Sequence, residues 1–290
     1  MSKSSPSISR GMQHAERGAR NAATGRWMAV LARCGYAAKG VVYLIIGGIA
    51  AKVAIGAGGA VTDQKGALQT ILEQPYGLGH ILLGVVTIGL FGFALWCFIQ
   101  ALFDTEGKGT TAKGLIARIG YAAVGITYAA LAYGAFQLVM GSGSGGKGSD
   151  ATAQDGTALL LKQSFGPALV IIVGLIALGV ACYLFYTAYA ARFQAQLHLA
   201  TLRAGMQKWV IAVGRLGYAA LGVVISIIGI FLIVAASQHN ASQAKGLDGA
   251  LQELAHQPFG LVLLGIVALG LFAYGIYSLV EARYRRVGKT

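Results

Sequence analysis

The stretch Arg33-Cys34-Gly35-Tyr36-Ala37-Ala38-Lys39-Gly40 decides the fold, because the chain repeats it. It returns as Arg118-Ile119-Gly120-Tyr121-Ala122-Ala123-Val124-Gly125 and again as Arg215-Leu216-Gly217-Tyr218-Ala219-Ala220-Leu221-Gly222. A second phrase follows each copy: Gln74-Pro75-Tyr76-Gly77, Gln163-Ser164-Phe165-Gly166 and Gln257-Pro258-Phe259-Gly260. From the arginine to the last glycine is 44, 48 and 45 residues. A period of this size marks one structural unit built three times. The units are read as residues 31–104, 116–192 and 213–283, after a polar basic segment 1–30 and before a basic tail 284–290.

Composition says what each unit is. Of 290 residues, 56% are hydrophobic and 11% charged, against roughly 25% charged in a soluble domain. Six apolar runs stand out, at 35–55, 78–103, 119–140, 165–190, 214–236 and 260–281. Each is long enough to cross a hydrocarbon core of about 30 Å at ~1.5 Å per residue. The runs lack the alternation of barrel strands, so they read as helices. Each repeat is then a two-helix hairpin. An even number of spans per unit points all three the same way. The expected fold is an all-α membrane protein of six transmembrane helices, arranged as three parallel repeats in a pseudo-threefold bundle.

Charge sets the expected orientation. Residues 1–33, the 104–118 and 191–215 connections and residues 283–290 together carry 17 of the 23 lysines and arginines. The positive-inside rule places that side, with both termini, in the cytoplasm. The basic balance is thus a topology signal, not a mark of nucleic-acid binding. It favours anionic lipid headgroups on the cytoplasmic face.

No cleaved signal peptide is expected, since the N-terminus has no apolar core with a cleavage site. Residues 1–26 are expected to be poorly ordered, and Trp27–Leu31 to form an interfacial helix. Each outer connection holds a short helix-like piece, around Gly66–Gln69, Gly156–Leu159 and Gly249–Gln252. Cys34, Cys97 and Cys182 give no disulfide or metal pattern, and the five histidines have no ligand spacing. Gly141–Gly148 resembles a phosphate loop but ends in glycine and follows no strand, so it reads as a linker. No nucleophile–base set is visible. The expectation is a protein without catalytic activity, cofactor or metal.

Within the spans, small and aromatic residues share helix faces. Tyr36, Gly40, Tyr43 and Gly47 form one such face, matched by Tyr121, Gly125, Tyr128, Ala132 and by Tyr218, Gly222, Ile225, Gly229. The second helices carry Gly89, Phe93, Trp96; Gly179, Tyr183, Tyr186; and Gly270, Tyr274, Tyr277. Spacings of three, four and seven put each set on one face. Glycines let membrane helices approach closely, and a neighbour's aromatics fill the grooves they leave.

Three sets of residues are candidates for binding. Arg33, Arg118 and Arg215 form either a cytoplasmic ring for an anionic headgroup or solute, or a set of interfacial anchors. Tyr36, Tyr121 and Tyr218, one turn deeper, either line a central path or pack between helices. Lys39 is matched by Val124 and Leu221. It is either a functional charge within a span or a chain long enough to reach water. Glu281 and Asp104 sit at span ends, so the core is expected to hold no carboxylate.

The two phrases and the glycine–aromatic second spans resemble the bacterial membrane family catalogued as domain of unknown function 1206. The resemblance covers about residues 30–285 and implies three tandem two-helix repeats; it brings no activity. The chain departs from the pattern at Ser164 and in its long second outer loop. Two functions are compatible with this reading. One is a structural, lipid-binding or interaction protein, with the bilayer and an unidentified protein as partners. The other is a solute or ion conduit along the pseudo-threefold axis.

Overall fold

The computed structural model describes residues 6–75, 77–103, 111–142, 148–197 and 203–285. Tyr76, most of the Gly141–Gly148 linker and the end of the basic tail lie outside the described residues.

Helices account for nearly all of it. They are α1 (Pro6–Ala54), α2 (Gln64–Leu72), α3 (Leu78–Phe103), α4 (Ala112–Val139), α5 (Ser149–Leu161), α6 (Gly166–Ala190), α7 (Ala204–Ser237), α8 (Leu247–His256) and α9 (Gly260–Tyr284). Six contain segments long and apolar enough to cross a membrane: Ala29–Ala54, Leu78–Phe103, Gly114–Val139, Gly166–Ala190, Gly205–Ser237 and Gly260–Tyr284. This is a multi-pass membrane protein of three repeated hairpins, α1–α3, α4–α6 and α7–α9. The short helices α2, α5 and α8 are the outer pieces foreseen in each connection. α1 is helical from Pro6 and runs on through Trp27–Leu31. Ala15, Ala19, Ala22 and Ala23 favour a helix there, and proline is tolerated in a first turn.

The helices meet in an almost cyclic order. α1 packs on α3, α3 on α4, α6 on α7, α7 on α9, and α9 returns to α1 in the most extensive interface of the molecule. Glycines make the close approaches. A Cβ added at Gly40 would lie 2.9 Å from the Gly275 carbonyl, and one at Gly275 2.8 Å from that of Gly40. The same reciprocal crossing joins Gly174 of α6 to Gly229 of α7, at 2.9 and 3.0 Å.

One step of the cycle is missing: α4 and α6, the hairpin of the second repeat, share no extended interface. Only 17% of the membrane window of each is buried, against 56% for α3 and α9.

The cause is visible in the register. Gly79, Gly166 and Gly260 occupy the same place: a Cβ on each would strike the last carbonyls of the short helix before it. Gly79, not Gly77, is therefore the first repeat's counterpart. Ten residues on from each stand Gly89, Ile176 and Gly270. In the first repeat a Cβ at Gly89 would come within 2.6 Å of Ala38 Cβ, and Gly270 presses Ala220 in the same way. In the second repeat that place holds the branched side chain of Ile176, which is 61% exposed. A glycine seat filled by isoleucine cannot admit the facing helix.

The Gly179–Tyr183–Tyr186 face thus lies one turn beyond the place that symmetry requires. The sequence pairing of Gly179 with Gly89 and Gly270 is corrected accordingly. Nothing packs against Gly179, and Tyr183 and Tyr186 are exposed. Likewise Gly35 seats Phe93 and Gly217 seats Tyr274, with added Cβ atoms 2.6 and 2.7 Å away, whereas Gly120 faces open space.

Candidate functional site

At the middle of the bundle, α1, α3, α4, α7 and α9 turn aromatic side chains inward. Tyr36 meets Phe93 edge-on at 5.1 Å, and Phe93 meets Tyr128 at 4.7 Å. Tyr274 joins Tyr43 at 5.0 Å and Tyr218 at 5.6 Å. Such edge-to-face pairs contribute about 0.5–1.5 kcal/mol each beyond burial. The small faces of the first helices leave the room these rings occupy.

Lys39 lies among them. Its Nζ donates a hydrogen bond to the Tyr274 hydroxyl and sits 4.6, 5.5 and 5.8 Å from the ring centres of Tyr274, Phe93 and Tyr36. Aromatic faces are a favourable setting for an ammonium. Lys39 does not escape to the interface; it stays half-buried in the core.

A buried ion pair also adjoins the Tyr36 ring. Arg285 Nη1 donates to Glu281 Oε1 at 2.7 Å, with both side chains nearly fully buried. The Arg285 guanidinium also lies 4.7 Å from the Tyr36 ring centre. This overturns the expectation of a core without carboxylates. Burial is tolerable because each charge neutralises the other. The spacing of Glu281 and Arg285, one helical turn apart, was the signal in the sequence. Their positions at a span end masked it. Gln100 and Thr187 occupy the place of Glu281 in the other repeats.

The termini-bearing end of the axis is plugged by a segment that no sequence motif announced. Ala191 ends α6 in a left-handed conformation, φ 48°, and a single 3-10 turn follows at Arg192–Gln196. This turn tucks Phe193 under the bundle. Its ring stacks on Tyr218 at 5.3 Å and meets Tyr277 edge-on at 5.0 Å. Leu197 then bridges to Arg285.

The opposite end is tied by aspartates from all three repeats. Asp63 caps α2, accepting from Gly66 N–H at 3.0 Å, and also accepts from Ser149 N–H at 2.5 Å. The Ser149 hydroxyl donates to Asp248 Oδ1 at 2.5 Å. Asp150 accepts from Gly246 and Gly249 N–H, at 2.5 and 3.0 Å. Burial pushes the Asp248 carboxyl above its ordinary value; the Ser149 hydroxyl opposes the rise and the neighbouring Asp150 adds to it.

Two of the three arginines act locally. Arg118 donates from Nε to the Ala101 carbonyl at 2.6 Å and from Nη2 to that of Leu102 at 2.9 Å. Arg215 donates from Nη2 to the Tyr189 carbonyl at 3.2 Å. Each thus caps the C-terminal end of the preceding repeat's second helix, where unpaired carbonyls attract a cation. Arg33 is exposed. Of the three tyrosines, Tyr36 is buried, while Tyr121 and Tyr218 are half-buried.

The family described as Domain of Unknown Function (DUF1206) matches residues 34–104, 119–191 and 216–285, one stretch per repeat. The chain belongs to this family. An uncharacterised protein of Bacillus subtilis (strain 168), YxxB, is 36% identical over 261 residues, covering 90% of this chain and 92% of its own. No solved structure matches. The DUF1206 repeat is thus the hairpin with its outer short helix. What distinguishes this chain's three copies is the charge set Lys39, Glu281 and Arg285, which the first and third repeats bring together, and the opening left by the second. Among the described residues, no group of histidine, cysteine and acidic side chains could hold a metal ion.

Proposed function

We propose that this DUF1206 protein is a non-enzymatic, lipid-binding protein of the bacterial cytoplasmic membrane, with both termini in the cytoplasm. The observation that carries the reading is the shape of the bundle. Its axis is filled by aromatic rings and plugged by Phe193, while its side is open between α4 and α6. A molecule reaching the core from the bilayer would use the side; a solute passing from face to face would have to displace the plug. The basic terminal face supports the orientation and an affinity for anionic lipid.

The test is purification into nanodiscs of mixed lipid, with native mass spectrometry of what remains bound. The expected result is one or a few lipids retained in excess of their share of the bilayer. A bound set that matches the bulk composition overturns the reading. In parallel, proteoliposomes should show no ion or solute flux above empty vesicles; flux that rises on Phe193→Ala would establish the conduit instead.

A further inference from the structure

We infer that the opening between α4 and α6 takes a long-chain carboxylate from the bilayer, its head against Lys39 and its chain along Val124, Ile176 and Val180. This rests on the lipid-binding reading and names the lipid class.

The first argument is access. Lys39, Val124 and Leu221 hold equivalent places in the three repeats. Leu221 is 9% exposed and covered by its neighbours, whereas Val124 is 40% exposed. The position that faces the axis from α4 is therefore uncovered. Val180, in the place of Phe93 and Tyr274, is likewise exposed, whereas those two rings are buried. Where the other hairpins close over the core, the second leaves it reachable sideways, through a wall of aliphatic side chains. That wall suits an alkyl chain.

The second argument is charge. Lys39 touches a phenol hydroxyl and three rings; among the described residues no carboxylate lies within ion-pair distance of it, and Glu281, which acts on it from farther off, is held by Arg285. An ammonium about 9 Å along the helix from Arg33, six residues at ~1.5 Å each, calls for one negative charge. A single small anionic head fits one cation that has no direct ion-pair partner. A partner helix wedged into the opening would cover the aliphatic wall but leave the ammonium unneutralised. A phospholipid would have to draw its glycerol and headgroup into the span.

The experiment uses the full chain in nanodiscs of neutral phosphatidylcholine, with palmitate carrying a photoactivatable diazirine on its chain. Expected is saturable labelling of peptides from α4 and α6, competed by unlabelled palmitate but not by hexadecanol. Lys39→Met should weaken binding about tenfold or more, and Lys39→Arg should restore most of it. Val124→Trp, which leaves the lysine intact, should block labelling by filling the wall, and it keeps the test decisive if Lys39→Met fails to fold. Equal competition by hexadecanol, or labelling unchanged in Lys39→Met, overturns the inference. So does preferential labelling by a diazirine phosphatidylglycerol, or cross-linking of the α4–α6 face to a second copy of the chain. If lipid is retained in the native spectrum but none of it depends on Lys39, the inference fails while the lipid-binding reading stands. If no lipid is retained at all, both fail.

Discussion

The first and third hairpins are closed and the second is open, although all three are written with the same phrase. In α1–α3 and α7–α9, a glycine of the first helix receives an aromatic of the second, and a glycine of the second receives an alanine of the first. In α4–α6 the first helix keeps its glycine, Gly120, but the second helix presents Val180 and Ile176 instead. The phrase therefore encodes half of an interface. Whether a hairpin closes depends on which residue stands ten places into its second helix.

The largest effect should come from the charges that only the closed hairpins enclose. Glu281→Gln copies the residue of the first repeat and removes the buried carboxylate to which Arg285 Nη1 donates. A loss of about 3–5 kcal/mol is expected, read as a collapse of the thermal midpoint in detergent. Glu281→Gln with Arg285→Met should recover much of it. A single variant as stable as the parent would show that the pair is not buried in the bilayer.

Next in size is steric insertion. Gly35→Leu should cost ~1–3 kcal/mol or more by driving α1 from Phe93, whereas Gly120→Leu should cost almost nothing. Equal losses at the two positions would mean that the second hairpin is closed like the others. The converse variant sharpens the same point. Ile176→Gly supplies the missing seat, and disulfide formation between Gly120→Cys and Val180→Cys in a cysteine-free background should rise with it. Unchanged cross-linking would show that something other than Ile176 holds the helices apart.

Smaller effects are expected at the ends. Arg118→Gln and Arg215→Gln should each cost about 0.3–1 kcal/mol through lost capping of α3 and α6. A flux phenotype in either would return them to a conduit mouth.

The smallest is a pH effect at the aspartate knot. The folded protein holds the Asp248 proton more tightly than the unfolded chain does. This group's contribution to stability is therefore complete below the ordinary carboxylate range. It declines as pH rises from that range to the raised value. Asp248→Asn should remove that part of the pH dependence, measured by thermal unfolding across mild acid. A steeper dependence in the variant would contradict the assignment.

Particular residues show where sequence reading stops. Tyr36, Phe93, Tyr274 and Tyr277 were legible as an inward face, because apolar periodicity reports which side of a helix is buried. Lys39 was legible as an anomaly within a span but not as the occupant of an aromatic cage. That depends on Tyr274, 235 residues away. Phe193 carried no signal, since a ring in a basic connection is indistinguishable from an interfacial anchor until the connection is seen to fold inward.

By itself the sequence determined the three repeats, the six spans, the outer short helices and the faces of most helices. These follow from local composition and period, which act within one or two turns. Tertiary structure alone decided the order of helices around the axis, the burial of the Glu281–Arg285 pair, the plug and the opening at the second repeat. Each of these turns on a clearance of an ångström or two between helices remote in sequence. A one-turn displacement of a glycine, invisible in a repeat that tolerates insertions, is enough to decide whether two backbones meet.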